Sequence, residues 1–336
     1  MKTDRGRFGW PIGLGLVSAF LTFFTVYDQI FHRTGLEFIL GDQLERHWKV
    51  LAGSAIDPWQ YRLLPELIVE AVIRAFRWFG VENPILPAFA LVRALQNVSI
   101  FVFSALYWTR LGVGRRLTIL GLAMLAWGFS YAGYGSDLAF STYFDVMFYL
   151  LAAFLILLDR LGLVLIVVAL ATLNRETSGL IPLLIVAAAI RPAGQTRRID
   201  WKVLRIAGIA LGIYLLEYGL IRWILGPRPS MRPYGHNLGL DLLGLNLSWI
   251  YSYFSTAAAF SVIPWLALLF WERWPPTLRR FFWAIVPLWL ALHLFLGAIA
   301  EARLLMVPHV IVFLPAALLV VQNGERALAR SPAAAE

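Results

Sequence analysis

Cysteine is absent from the 336 residues, which excludes disulfides and thiolate metal sites. Lysine is nearly absent too, since Lys2, Lys49 and Lys202 are the only ones among 29 basic residues. Charge of either sign is thin, at 15% of residues against 60% hydrophobic ones and a mean hydropathy of +0.71. A chain this apolar cannot hide its surface in one soluble core, so an integral membrane protein is the reading. Also lacking are histidine pairs at zinc spacing, a Walker or GxGxxG loop opening a helix, a GxSxG elbow and a legible Ser/His/Asp set. Neither an internal repeat nor a low-complexity linker breaks the chain, so a single integral membrane domain over 1–336 is expected.

What charge there is has a pattern. The net +9 comes from basic residues in short loops between apolar runs, the way topology is written, so no nucleic-acid partner is expected. The preference for arginine also suits phosphate, because the planar guanidinium matches its oxygens. Lys2, Arg5 and Arg7 precede an apolar run with no small-residue cleavage pattern, so that run is expected to stay as an anchor with the N-terminus in the cytoplasm.

Followed by this rule, the first span is Trp10 to Tyr27 and residues 28–80 form an external loop. Within it, Tyr61 to Phe79 carries Arg62, Glu66, Glu70, Arg74 and Arg77 among apolar residues at helical spacing, a poor span and a good interfacial helix. Further spans are expected at 85–108, 117–133, 143–158, 203–225, 249–271, 281–300 and 304–321. The run 161–190 is interrupted by Asn174, Arg175, Glu176 and Thr177 and reads as two half-spans meeting outside. Carrying that charged pair straight through mid-membrane would cost roughly 2.5–3.5 kcal/mol per group. The sum is an all-α polytopic protein of about ten spans with both termini cytoplasmic.

The remaining polar groups converge on the outer face: the stretch Gly41 to Pro65, Asp137 and Asp145, NRET, an Arg/His loop, and EAR. Asp42, Glu45 and His47, then Asp57 and Arg62, are either the floor of a reactive pocket or a solvated loop. Arg175 beside a helix start is either an anion seat or half of a structural pair with Glu176. Arg228, Arg232 and His236 make a cationic loop fit for phosphate or for lipid headgroups. Glu301 and Arg303 repeat the pairing near the C-terminus, and His309, inside the last span, is expected to pack in the bundle. Asn97 and Asn246 head glycosylation sequons that are discounted, the first because it lies within a span.

With this topology the chain resembles the GT-C superfamily, multi-span glycosyltransferases that use polyprenyl-phosphate sugars. GDQLERHW followed by DPWQYRLLPEL is similar to the family's acidic-then-aromatic opening and later Pro-containing segment, in a first external loop with surface-lying helices. NRET before a short apolar segment, and EARLLMVP, look like features of bacterial GT-C-like proteins. The resemblance implies a bacterial inner-membrane enzyme with its active site on the outer face. By it, Asp42 takes the acceptor's proton, with Asp28 and Asp57 as alternatives. Arg62, Arg175 and Arg303 hold the donor phosphate, while Glu176, His236 and Glu301 orient sugar or arginine. His47, Asp57 and Arg232 complete the expected substrate contacts. The implied partners are a polyprenyl-phosphate sugar, a glycan or lipid acceptor and membrane lipids. No cofactor is implied, and a divalent cation is permitted but not required. The runner-up is a transporter or flippase for a lipid-linked or anionic substrate, which calls for paired broken helices where one break is legible.

Overall fold

Apolar residues at helical spacing become helices nearly throughout the computed structural model, which describes residues 5–133, 137–193 and 196–328. In chain order these are α1 (Arg5–Asp28), α2 (Leu44–Leu51), α3 (Leu63–Trp78), α4 (Ile85–Arg110), α5 (Arg115–Ala132), α6 (Phe140–Leu157), α7 (Leu161–Thr172) and α8 (Ile181–Ala189). They continue with α9 (Trp201–Leu225), α10 (Leu240–Ser248), α11 (Ile250–Phe260), α12 (Ile263–Leu269), α13 (Pro276–Leu296) and α14 (Leu314–Leu328). A short antiparallel hairpin, β1 (Ile190–Ala193) with β2 (Thr196–Ile199), joins α8 to α9. There Asp200 caps α9, its Oδ1 accepting from the amides of Lys202 and Val203 at 3.1 and 3.3 Å.

Among the described residues six helical segments are long and apolar enough to cross a membrane: Trp10–Thr34, Ile85–Arg110, Phe140–Leu157, Trp201–Leu225, Pro276–Leu296 and Ala302–Ala327. The pair α11/α12, bent by 78°, makes a seventh if it counts as one span. The chain is thus a polytopic helical protein of the multi-pass membrane type. Length and composition do not reach the ten spans read from the sequence. α7 has 12 residues and Glu176–Ala189 is likewise short, against ~20 needed to cross a bilayer. Arg115 and Arg116 occupy the first turn of α5.

The main core runs through α4, α5, α6, α7, α8 and the final segment, with Trp108, Tyr149, Phe281 and Trp289 fully enclosed. A smaller cluster of Ile39, Val69, Ile73, Phe89, Val92, Leu138 and Phe140 fastens the first loop onto α4 and α6. That second core is why the polar stretch after α1 is ordered. Its backbone is knitted by Gln60, which accepts from the Ala55 amide at 2.8 Å and donates to the Val50 carbonyl at 3.1 Å. α3 is amphipathic, burying Val69 and Ile73 while Leu67 stays exposed.

Candidate functional site

The break expected at NRET is present. α7 ends at Thr172, the chain turns through Asn174 and Arg175, and a short tight helix, Glu176–Leu180, leads into α8. Asn174 closes the turn by donating from Nδ2 to the Ser141 carbonyl at 2.9 Å. The Leu64 amide at the head of α3 donates to the Leu173 carbonyl at 3.0 Å, so the first loop docks on the break. The same loop reaches the 226–236 segment. Asp57 pairs with it through backbone bonds to Pro229 and Met231, both 2.9 Å, and Tyr61 Oη donates to the Gly226 carbonyl at 2.7 Å. Near the C-terminus Trp289 Nε1 donates to the Leu304 carbonyl at 2.6 Å and pins the EAR turn to α13.

The first loop, the break and the EAR turn, together with Asp137 and the start of α6, bring their polar groups into one closed circuit. Arg46 pairs with Asp137, and Asp137 lies 3.7 Å from Arg303. Arg303 pairs with Glu301 and donates to Thr142 Oγ1 at 3.2 Å. Arg175 donates to that same oxygen at 3.0 Å and sits 3.8 Å from Glu176 and 4.0 Å from Asp145. Glu176 receives both Nε and Nη2 of Arg62. The guanidiniums of Arg62 and Arg46 both lie over Trp59, 4.8 and 4.3 Å from a ring centroid, which returns the circuit to its start.

The electrostatics follow from this pairing. Burial alone would raise the Asp137 carboxyl, but Arg46 and Arg303 outweigh it and hold the group below the usual carboxylate range. Burial opposes ionisation of Glu176 as well, yet Arg62 and Arg175 pull it down to about 2. Burial and the neighbouring Arg62 bring Arg175 down to about 10, which leaves it charged at neutral pH.

Beside the circuit lies a cavity of about 510 Å³. Six of the sequence-predicted residues line it: Asp57, Arg62, Arg175, Glu176, Glu301 and Arg303. Each carboxylate there faces a guanidinium, with Asp57 held at 2.9 and 3.2 Å by Arg222, itself stacked on Tyr61. Leucines 180, 238, 292 and 296 supply an apolar wall.

The other predicted residues are elsewhere. Asp42 is exposed on a π-helical stretch, Ile39–Gln43, and does not line the cavity. His47 is buried instead against α3, its Nδ1 2.6 Å from Glu66 and its Nε2 3.4 Å from Glu70. Arg232 is exposed, and His236 pairs with Asp241 at 2.9 Å; neither lines the cavity. Asp28 is spent on Arg33 at 2.9 Å. No group of three or more His, Asp or Glu among the described residues is arranged to hold a metal ion.

Sequence reasoning missed Arg222, Thr142, Trp59, Tyr214 and His293. Arg222, at the end of α9, looks like an ordinary flanking charge, and Thr142 like any threonine of a span. Tyr214 donates to the Glu176 carbonyl at 2.9 Å, and His293 stacks on Trp289 with Nδ1 2.9 Å from its carbonyl. The sequons are closed off as well, since Asn97 and Asn246 are both buried.

Searches against protein-family models, curated proteins and solved structures find no match. The class of the protein therefore rests on its own architecture: a polytopic helical bundle with an arginine-rich cavity.

Proposed function

We propose that this protein is a GT-C-type glycosyltransferase of the bacterial cytoplasmic membrane, moving a sugar from a polyprenyl-phosphate donor to a lipid or envelope-glycan acceptor at the outer face. The observation that carries this reading is the convergence of Arg175 and Arg303 on Thr142 at the wall of a cavity that also presents Arg62 and Arg222. Arg175 and Arg303 both line that cavity, and a guanidinium is a fitting donor to phosphate oxygens. Beside them, the leucine wall suits the first units of a lipid.

In this reading the acceptor hydroxyl attacks the anomeric carbon as the carbon–oxygen bond to phosphate breaks. The bonding pair leaves with the phosphate, whose growing charge meets Arg175 and Arg303. The acceptor's proton passes to a cavity carboxylate, and Asp57 replaces Asp42 in that role. Its pair with Arg222 is the most open of the cavity's ion pairs, with side chains 24% and 34% exposed. Such a pair contributes about 0–1 kcal/mol and yields readily to an incoming acceptor. One displacement inverts the anomeric centre. The surface-lying helices of the first loop, α2 and α3, frame the site.

The test combines lipid mass spectrometry on a deletion strain with transfer from labelled polyprenyl-phosphate sugars by protein in nanodiscs. The expected result is an accumulating acceptor in cells, and in vitro a product that Asp57→Asn abolishes. An unchanged lipid and glycan profile in the deletion strain, together with no transfer in vitro, would sink it.

A second reading, transport or flipping of the same anionic lipid, draws support from polar residues buried deeper in the bundle. Arg93, Asn97 and Ser104 share one face of α4, and Ser18 and Thr22 one face of α1, with Gln29 just past its end. Several of their polar atoms, including every nitrogen of Arg93, make no hydrogen bond among the described residues. Translocation of a fluorescent lipid phosphate in proteoliposomes, unaffected by Asp57→Asn, would favour this reading over transfer.

A further inference from the structure

A second cavity, of about 470 Å³, lies away from the charge circuit. It falls within the size range of ligand sites, roughly 300–1,000 Å³. Its walls come from α10, the bent pair α11/α12, α13 and the stretch 299–313. The bend explains the opening: Ser261 takes a left-handed φ of 52°, and the two helices diverge beyond it. α11 is held against α5, where Gly128 brings a backbone close enough that a Cβ would stand 2.9 Å from the Ala259 carbonyl. Tyr253 and Trp265, both exposed, flank the mouth.

No charged residue lines this cavity, and most of its polar lining is already used. Asn246 donates to the Leu294 and Gly297 carbonyls and accepts from the Ile299 amide, while Thr256 bonds the Ser252 carbonyl. Two side chains are different. His309 is 2% exposed and packs on Phe260 at 4.6 Å, as expected of a core histidine, yet neither ring nitrogen has a hydrogen-bond partner among the described residues. Ser252 Oγ is equally buried and equally unpartnered. His309 also opens a π-helical stretch, His309–Phe313, a distortion that recurs at functional sites. Two orphan polar groups in an apolar chamber specify their complement, because leaving them unmatched is costly.

We propose that this cavity binds an uncharged lipid, an apolar chain ending in a hydroxyl. The hydroxyl bonds His309, and the chain lies along Phe260, Leu268, Leu290 and Phe313. A hydroxyl gives and accepts, so it suits either tautomer of a neutral imidazole as well as the serine. A carboxylate or phosphate end would sit without a counter-charge in an apolar enclosure, which is strongly unfavourable. α13 partitions the two cavities: Leu290 and Leu294 face this one, while Leu292, His293 and Leu296 face the arginines. The site is therefore separate from the proposed transfer.

The experiment uses the full chain in nanodiscs and three photoreactive probes with the same diazirine-bearing chain: a long-chain alcohol, the matching fatty acid at pH 8, and a phospholipid. Peptides from 250–269 and 306–313 should be labelled by the alcohol well above the other two. His309→Phe should cut that labelling roughly 5- to 10-fold, the worth of one hydrogen bond, with His309→Gln restoring part of it. Thr256→Trp, which fills the chamber while leaving His309 in the chain, should abolish it. Equal labelling by all three probes would mean that bilayer chains alone fill the cavity and would overturn the proposal. Undiminished alcohol labelling in Thr256→Trp would overturn it too, and that variant decides if His309→Phe fails to fold.

Discussion

Arg175 and Arg303 come from opposite ends of the second half of the chain and donate to one oxygen, Thr142 Oγ1, at 3.0 and 3.2 Å. Two like charges brought to one acceptor repel each other, and the arrangement holds because Asp145, Glu176, Glu301 and Asp137 surround them. Thr142 is thus the hinge pin of the proposed phosphate seat. Thr142→Val keeps the shape and removes the oxygen. Donor binding should weaken roughly 10- to 100-fold, the range for hydrogen bonds to charged groups, and Thr142→Ser should keep most of it. Titration with a polyprenyl phosphate checks both variants.

Asp57 should separate chemistry from folding. Its pair with Arg222 is partly open, so Asp57→Asn should cost under about 1 kcal/mol of stability while removing the proposed base. Turnover should fall by two orders of magnitude or more, about what a general base supplies, with donor affinity unchanged. Asp42→Asn, altering an exposed residue outside the cavity, should leave turnover near that of the wild type. The reverse outcome would return the role to Asp42.

Glu176 carries a pH signature. Its carboxyl is held at about 2 in the folded protein, below the ordinary value of about 4.3 for an unfolded chain. A depressed carboxylate stabilises the fold above the unfolded value and loses that contribution as pH falls from there through about 2. Glu176→Gln should therefore be less thermostable than wild type at pH 7, with the gap narrowing steadily below pH 4. Melting in detergent between pH 7 and 3 gives the comparison, and a gap independent of pH would refute the assignment.

Gly179 is a packing test of the same wall. A Cβ there would stand 2.6 and 2.7 Å from Cζ and Cε1 of Tyr214, the ring whose hydroxyl bonds the Glu176 carbonyl. Gly179→Ala must push that ring aside, at about 1–3 kcal/mol. In a Tyr214→Ala background the same glycine change should cost almost nothing, which a double-mutant thermal cycle would show.

The apolar runs, the basic loops and the break at Asn174–Arg175 were legible because each follows from local composition. The span count was less so: the ten included both half-spans at the break, each too short to cross alone, and 117–133, whose helix α5 is not among the six long apolar segments. In the site, Arg175, Glu176, Glu301 and Arg303 stood out as charges interrupting apolar sequence. Asp42 and His47 did too, but one faces outward and the other is consumed by Glu66 and Glu70, and only tertiary packing decides that. Arg222 and Thr142 were illegible for the opposite reason, since their types are ordinary where they stand. Their importance comes from partners distant in sequence.

The short pair at the break also bears on how the protein is made. Neither α7 nor the segment after Asn174 reaches across a hydrocarbon core of about 30 Å by itself, at 1.5 Å per residue. Both pack against α9, which leaves the ribosome after them. A translocon meeting these two segments one at a time has nothing long enough to release sideways into lipid. Their burial is completed by α6 on one side and by α9, made later, on the other.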